Sequence, residues 1–145
     1  MITSVRQFSE CYQVDGREIY CVYDLPDEKT KPGPYPTLIL AHGYGGSLED
    51  NLNCAERYAR EGFAVCSLDF CGGSLTTRSS GTTREMSIIT EKRDMLAVFE
   101  EVARKPFVRK DFICLWGESQ GGVVAALCGA ELRERVRALV LFYPA

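Results

Sequence analysis

One serine in this 145-residue chain lies between glycines in a pattern that can make it a nucleophile. Residues 117–121 match G-x-S-x-G, an apolar run predicting a strand (112–116) leads into them, and a small-residue segment predicting a helix follows. So sharp a turn strains the backbone at Ser119 and crowds the residues two positions away on either side. Because only glycine is small enough there, Gly117 and Gly121 favour Ser119 as an exposed nucleophile.

A second segment, His42-Gly43-Tyr44-Gly45-Gly46, could supply part of an oxyanion hole. Acyl transfer needs two N–H donors that hold the oxygen on which negative charge develops. In a strand–turn–helix arrangement one donor follows the nucleophile, and the other lies in the loop after an earlier strand. These positions correspond to the backbone N–H groups of Gln120 and Tyr44. A flexible glycine loop is the alternative, but the presence of both segments favours the oxyanion hole.

The remaining patterns predict an α/β fold that positions these two segments. Asp15-Gly16 is a two-residue hairpin signal between β-like segments 4–13 and 17–25, and a tight turn would place Cys11 opposite Tyr20. Strands and helices then alternate, which predicts right-handed crossovers and a largely parallel, three-layer sheet with helices on both faces. The predicted strands are 37–41, 63–70, 112–116 and 138–143. The predicted helices are 48–61, 87–104 and a third that follows residues 117–122 and runs to about residue 132. We expect one domain over residues 1–145.

Two details of the predicted helices can be stated from the sequence. Ser47 and Asp50 approximate a capping box at the start of helix 48–61, and Gly62 is expected to end it. In the longer helix the apolar residues on one face are expected to be Ile88, Met95, Phe99 and Val102.

From about residue 17 to its end the chain resembles the α/β-hydrolase superfamily. Four stretches are similar to bacterial feruloyl and cinnamoyl esterase-like serine hydrolases: 42–47, 69–74, 85–87 and 117–122. The resemblance implies hydrolysis of a small carboxylic ester through an acyl-enzyme on Ser119, with no cofactor. The oxyanion hole would be the N–H groups of Tyr44 and Gln120, supported by the motif residues His42, Gly43, Gly117 and Gly121. The acyl and alcohol groups stay open.

The resemblance also places part of the catalytic machinery outside these residues. The superfamily order is serine, then acid, then histidine, whereas the single histidine here, His42, precedes Ser119 and by resemblance holds the loop. Asp94 or Glu118, taken as exposed carboxylates with a pKa near 4, would be poor bases for a serine hydroxyl. We therefore expect a fold truncated after the strand that follows the nucleophile helix, weakly active or inactive alone.

Two other functions are compatible with the missing triad residues. A non-catalytic pseudo-hydrolase would use the same pocket to bind a small acyl or aromatic ligand. A partner-dependent fragment would become active when a second chain supplies the acid and the histidine.

Composition excludes several classes of partner. The net charge of −3 and pI near 5.3 give no electrostatic support for nucleic acid or an anionic membrane surface, and no apolar stretch reaches the roughly 20 residues of a membrane span. The seven cysteines contain no C-x-x-C pair, which predicts reduced thiols, no metal site and a cytoplasmic location. The apolar last strand (139–143) would have no neighbouring strand on its outer side. This bare edge predicts self-association across a two-fold axis.

Overall fold

The structure is a computed structural model that describes residues 2 and 4–145, in which six strands form one sheet. The strands are β1 (Val5–Val14), β2 (Arg17–Pro26), β3 (Tyr35–Ala41), β4 (Ala64–Leu68), β5 (Val108–Glu118) and β6 (Ala138–Phe142). The α-helices are α1 (Leu52–Arg60), α2 (Ile88–Ala103) and α3 (Gln120–Leu132), with short 3-10 segments at Leu48–Asn51 and Arg133–Arg135. The strand order across the sheet is β1-β2-β4-β3-β5-β6.

The N-terminal hairpin forms where the turn signal predicts it. Asp15 and Gly16 have φ values of 50° and 76°, as a tight turn that matches the twist of the strands requires. Cys11 lies opposite Tyr20 in the antiparallel ladder of β1 and β2, as predicted. Strand β2 also pairs antiparallel with β4, which joins the hairpin to the parallel part of the sheet.

Strands β3, β4, β5 and β6 are parallel, so their carboxyl ends meet at one edge of the sheet. Since β3 and β5 are neighbours, with Ala41 opposite Gly117, the loops that follow these two strands lie side by side. The predicted fold class, a hairpin followed by a mostly parallel sheet, is therefore confirmed. Strand β5 is longer than the predicted 112–116 because Val108 pairs with Tyr35 before an irregularity in the register. The charged run 109–111 obscured this part of the strand.

Alternating side chains of the parallel strands build a core on each face of the sheet. Leu38 and Leu40 of β3 belong to a buried cluster with Ala55 of α1. Ile39 and Ala41 of the same strand belong to the larger cluster, which includes side chains of α2 and α3. Helices thus cover both faces, and the three layers predicted from the alternation are confirmed. In the larger cluster the helical members are Met95, Val98, Phe99, Val102, Val124, Ala125, Cys128 and Leu132.

Two helix details refine the sequence prediction. The capping box of Ser47 and Asp50 is present, but the first turn that it starts is a 3-10 turn, and regular α-helix begins only at Leu52. Of the apolar residues predicted on one face of α2, Met95, Phe99 and Val102 are buried, whereas Ile88 is 38% exposed. Ile88 is the first residue of the helix and directly follows the Ser87 cap.

The sixth strand forms an edge of the sheet, because it pairs only with β5. Its apolar side chains are partly exposed, at 41% for Leu139, 37% for Leu141 and 43% for Phe142.

The seven cysteines are all free. None of the helices in the described part of the chain combines the length and apolar character needed to cross a membrane.

Candidate active site

Ser119 occupies a strained turn between β5 and α3. Its backbone has φ 51° and ψ −126°, a region that costs a non-glycine residue about 1–3 kcal/mol. Its carbonyl accepts the N–H of Gly122 at 2.9 Å, which begins the helix, and its own N–H donates to the carbonyl of Phe142 at 3.0 Å. The turn is thus held between the new helix and the edge strand, with the serine half-buried.

The glycines on either side of Ser119 are required by close backbone contacts. A Cβ atom at Gly117 would lie 2.2 Å from the carbonyl oxygen of Gly121. A Cβ atom at Gly121 would lie 2.3 Å from the carbonyl oxygen of His42 and 2.4 Å from that of Ala41. All three oxygens belong to the backbone, so a side chain at Gly121 would require β3 to move away from the turn, and one at Gly117 would require the start of α3 to move away from β5.

The loop after β3 lies directly against the serine. A Cβ atom at Gly43 would be 3.4 Å from the Cβ of Ser119, so Gly43 borders the candidate nucleophile. The side chain of the next residue, Tyr44, is 73% exposed. Within the part of the chain that the structure describes, the backbone N–H groups of Tyr44 and Gln120 donate no hydrogen bond. The structure therefore brings Ser119 and the loop of Tyr44 together and leaves both predicted donors free.

Both ring nitrogens of His42 are already bound by the backbone. Nδ1 lies 2.8 Å from the carbonyl oxygen of Gly43, and Nε2 accepts the N–H of Phe70 at 3.1 Å. This pair of partners requires a neutral ring that carries its proton on Nδ1. Burial lowers the pKa of His42, which favours the same neutral form. The ring therefore ties the loop to the segment after β4, and neither nitrogen is available to Ser119.

Asp69 is a second anchor of this edge, and sequence reasoning missed it. Its buried carboxylate accepts the N–H of Leu48 at 2.7 Å and the N–H of Arg78 at 3.0 Å. It thereby joins the start of the 3-10 turn after the Tyr44 loop to the long loop that follows β4. The available signal was a single acidic residue immediately after a buried strand.

The two carboxylates considered as alternative bases do not bind Ser119. Asp94 is fully buried, not exposed as expected from the sequence, and its oxygens bind Arg17 Nη2 at 2.9 Å and the N–H of Cys71 at 2.8 Å. Burial raises the pKa of Asp94 above its ordinary value, against the opposing effect of these partners. Glu118 is approached by the hydroxyl of Tyr143 at 3.5 Å.

Glu91 is a buried carboxyl beside the turn that sequence reasoning also missed. It lies in the first part of α2, is 1% exposed, and its Oε1 accepts Gln120 Nε2 at 2.8 Å. Burial raises the pKa of Glu91 to about 7; the hydrogen bond from Gln120 opposes this rise and the charge of Asp94 adds to it. Helix α2 therefore contacts the turn around Ser119 (the elbow, residues 117–121) through a titratable group. The signal was a polar residue on the apolar stripe of the predicted helix.

The arrangement places the candidate nucleophile Ser119 and two free N–H groups at the carboxyl edge of the sheet. Among the described residues, Ser119 Oγ has no hydrogen-bond partner that could take its proton. The same residues contain no group of three or more His, Cys, Asp and Glu side chains placed to hold a metal ion. The chemistry that this geometry can support is attack on a carbonyl carbon with stabilisation of the resulting oxyanion.

Solved structures share this architecture. Est1E from Butyrivibrio proteoclasticus, in a structure with bound ferulic acid, is 26% identical with a TM-score of 0.80, over 90% of this chain and 50% of that one. DcsB, in complex with its substrate analogue, is 26% identical with a TM-score of 0.78, and the match covers 95% of this chain and 45% of DcsB. A hypothetical protein from Pseudomonas aeruginosa is 22% identical with a TM-score of 0.81, over 97% and 44%. The chain thus spans about half the length of these structures.

The fold and these similarities define an α/β-hydrolase, as the sequence resemblance implied. Residues 33–145 match the family described as serine aminopeptidase, S33, and the chain belongs to that family. The similarity to Est1E agrees with the resemblance to feruloyl and cinnamoyl esterase-like hydrolases. No curated protein matches the chain.

The contact of Gly121 with β3 predicts a selective loss of stability. Gly121→Ala should lower the free energy of unfolding by about 3 kcal/mol, because the new methyl group meets two backbone oxygens. Gly129→Ala in the same helix is the control: its methyl group would meet the flexible end of Leu139, at 2.9 Å, and alanine favours the helix. Urea unfolding measures both variants. Equal losses would contradict the close-contact explanation.

The raised pKa of Glu91 predicts a stability that depends on pH. The folded chain keeps the proton of the Glu91 carboxyl up to about pH 7, whereas the unfolded chain releases it near pH 4.5. Protonation of Glu91 therefore adds fully to the free energy of unfolding below pH 4.5, and this contribution is lost by about pH 7. Glu91→Gln should remove this loss, and its unfolding free energy relative to wild type should rise by about 3 kcal/mol between pH 4.5 and pH 8.

Urea unfolding across this pH range provides the measurement, and Glu101→Gln is the matched control. Glu101 lies on the same helix but is partly exposed and paired with Arg104, so its substitution should leave the profile parallel to that of wild type. A parallel profile for Glu91→Gln as well would show that Glu91 titrates normally.

Proposed function

We propose that the chain carries the nucleophile and oxyanion hole of a serine hydrolase that acts on small carboxylic esters. The observation that carries the proposal is the position of Ser119 at the carboxyl edge of the sheet, between a strained turn and the Gly43 loop. Ser119 Oγ would attack the ester carbonyl, and the alcohol would leave as an acyl-enzyme forms. The free N–H groups of Tyr44 and Gln120 would hold the tetrahedral oxyanion, and water would then release the acid.

The proton-transfer partners would come from residues outside these 145. We propose that residues 1–145 are the N-terminal part of one α/β-hydrolase domain whose acid and histidine follow in further sequence or a second chain. Removing the histidine of a comparable serine hydrolase costs about a million-fold in turnover, so the 145-residue chain alone would be a weak esterase. The free cysteines support a reducing compartment, and we propose a cytoplasmic location.

The similarity to Est1E supports an ester of an aromatic or other small acid as the substrate class, since that protein was solved with ferulic acid. A non-catalytic ligand-binding role is the second candidate. It is favoured by the lack of a base at Ser119 Oγ within the described residues. Ferulic acid binding without Ser119-dependent chemistry would identify it.

Ser119-dependent acylation is the central prediction. Incubation with p-nitrophenyl acetate should acetylate Ser119 in the wild-type chain, detected by mass spectrometry of its peptides, while p-nitrophenol release stays slow. Ser119→Ala should lose the adduct but keep the slow background that lysines and the exposed thiol of Cys11 produce. Identical rates and no adduct at Ser119 would contradict the prediction that the 145-residue chain alone acylates Ser119.

We also propose that the 145-residue chain self-associates by pairing β6 with β6 of a second copy across a two-fold axis. The edge of β6 that faces away from β5 offers unpaired backbone groups, and Leu139, Leu141 and Phe142 are each more than one-third exposed. A partner of identical sequence can satisfy both copies at once.

Sedimentation velocity over a range of concentrations tests this assembly. The wild-type chain should sediment as a dimer at high concentration, and Leu141→Lys should shift it toward monomer because a charge on an edge strand opposes pairing. Ile89→Lys, at a 68% exposed site on α2, is the matched control and should leave the dimer intact. A wild-type monomer at every concentration would contradict the assembly.

A further inference from the structure

Gln120 is held by its side chain as well as by the helix that it begins. Its amide nitrogen donates to Glu91 Oε1 at 2.8 Å and to Met86 Sδ at 3.6 Å. A glutamine amide has two N–H groups, and these two contacts use both. The side chain is therefore directed toward α2 and its preceding loop, which leaves only the backbone N–H of Gln120 for a ligand at Ser119.

Glu91 is the fixed end of this contact. Its carboxyl is buried, and Oε2 has no hydrogen-bond partner within the described residues. A buried carboxylate with one donor is poorly compensated for the loss of water, so burial favours the neutral acid. The resulting pKa of about 7 means that the group changes charge within the physiological range.

The charges around Glu91 do not neutralise it. On its own helix, Asp94 is the charged neighbour that raises its pKa further, and Arg17 of β2 is committed to Asp94. Between α2 and α3, Lys92 is paired with Glu131. From α3 the direct contact is the uncharged Gln120.

On the other side of Asp94, a small cavity of about 140 Å³ contains the remaining titratable groups of this region. It is lined by Arg17, Cys71, Gly81, Glu85, Thr90 and Arg93. Burial raises the pKa of the Cys71 thiol to about 12, so it stays neutral near pH 7. Arg93 and Glu85 lie at the exposed surface. Within the described residues, Glu91 forms no ion pair with a positively charged side chain.

We propose that Glu91 is a positioning residue for the Gln120 side of the oxyanion hole, and that the hole is stronger when this buried carboxyl is uncharged. The hydrogen bond from Gln120 fixes the first residue of α3 in either state. When Glu91 is ionised, a buried negative charge lies one glutamine side chain away from the N–H that would hold a developing negative oxygen. The two like charges repel at low effective dielectric, which weakens the hole. This inference rests on the proposed function.

The first test does not depend on catalysis. The backbone and side-chain amide resonances of Gln120 are followed by NMR from pH 5 to 9 in the wild-type chain. They should shift with a midpoint near pH 7, and the shift should be absent in Glu91→Gln, which keeps an acceptor oxygen but carries no charge. Glu101→Gln should retain the wild-type titration. A Gln120 resonance that does not move near pH 7 in the wild type would overturn the coupling.

The second test measures the reactivity of Ser119 with a fluorophosphonate probe, with Ser119→Ala for background. The ratio of the Glu91→Gln rate to the wild-type rate should be near one at pH 5.5 and rise to about tenfold at pH 8.5. The ratio cancels any general increase in reactivity with pH, and a purely structural role for Glu91 would not make it change.

The two tests separate the possible failures. An unchanged ratio alongside clear labelling of Ser119 would overturn the role of Glu91 and leave the proposed function standing. No labelling of Ser119 at any pH would contradict the predicted reactivity of Ser119 in the 145-residue chain and overturn the oxyanion role of Glu91. The Gln120 titration would then still report whether Glu91 acts on the elbow.

Discussion

The site depends on one close approach, in which the backbone of the turn after β5 lies against the end of β3. It is possible only because Gly121 has no side chain, since a Cβ atom there would lie 2.3 Å from the carbonyl oxygen of His42 and 2.4 Å from that of Ala41. Gly117 is required inside the turn itself, where a Cβ atom would lie 2.2 Å from the carbonyl oxygen of Gly121. Once the two segments touch, the positive φ of Ser119 and the position of the Gly43 loop follow from the geometry of neighbouring parallel strands. The strain at the serine is held by packing across that contact.

Buried polar side chains also hold the segments around the candidate site in place. His42 and Asp69 connect the loop after β3 to the segments after β4 through hydrogen bonds with backbone groups. The ring of His42 bonds Gly43 and Phe70, and the carboxylate of Asp69 accepts the N–H groups of Leu48 and Arg78. On the opposite side, Asp94 holds the N–H of Cys71, and Glu91 holds the side chain of Gln120. Four buried side chains therefore hold the segments around the candidate site to one another and to α2.

The features that the sequence predicted are those governed by local rules. The hairpin follows from Asp15-Gly16, the elbow from glycines at a fixed spacing, and the parallel order from alternating apolar strands and helices. The polar anchors could not be predicted because their partners are distant in sequence. Asp94 was taken for an exposed carboxylate, and Glu91 was overlooked although it lies on the same helical stripe as Met95. A single sequence does not reveal whether a polar residue on an apolar stripe faces water or a buried donor.

The hydrogen bond from Ser119 to Phe142 has a mechanical consequence. The N–H of the candidate nucleophile donates to the last residue of the edge strand, and the N–H of Ala145 returns to the carbonyl of Ser119. Edge strands open more readily than the centre of a sheet. Each time β6 frays, the serine loses restraints on both its N–H and its carbonyl, so its strained conformation is free to relax. Whatever covers the outer edge of β6 would therefore also set how long the candidate nucleophile keeps its strained conformation.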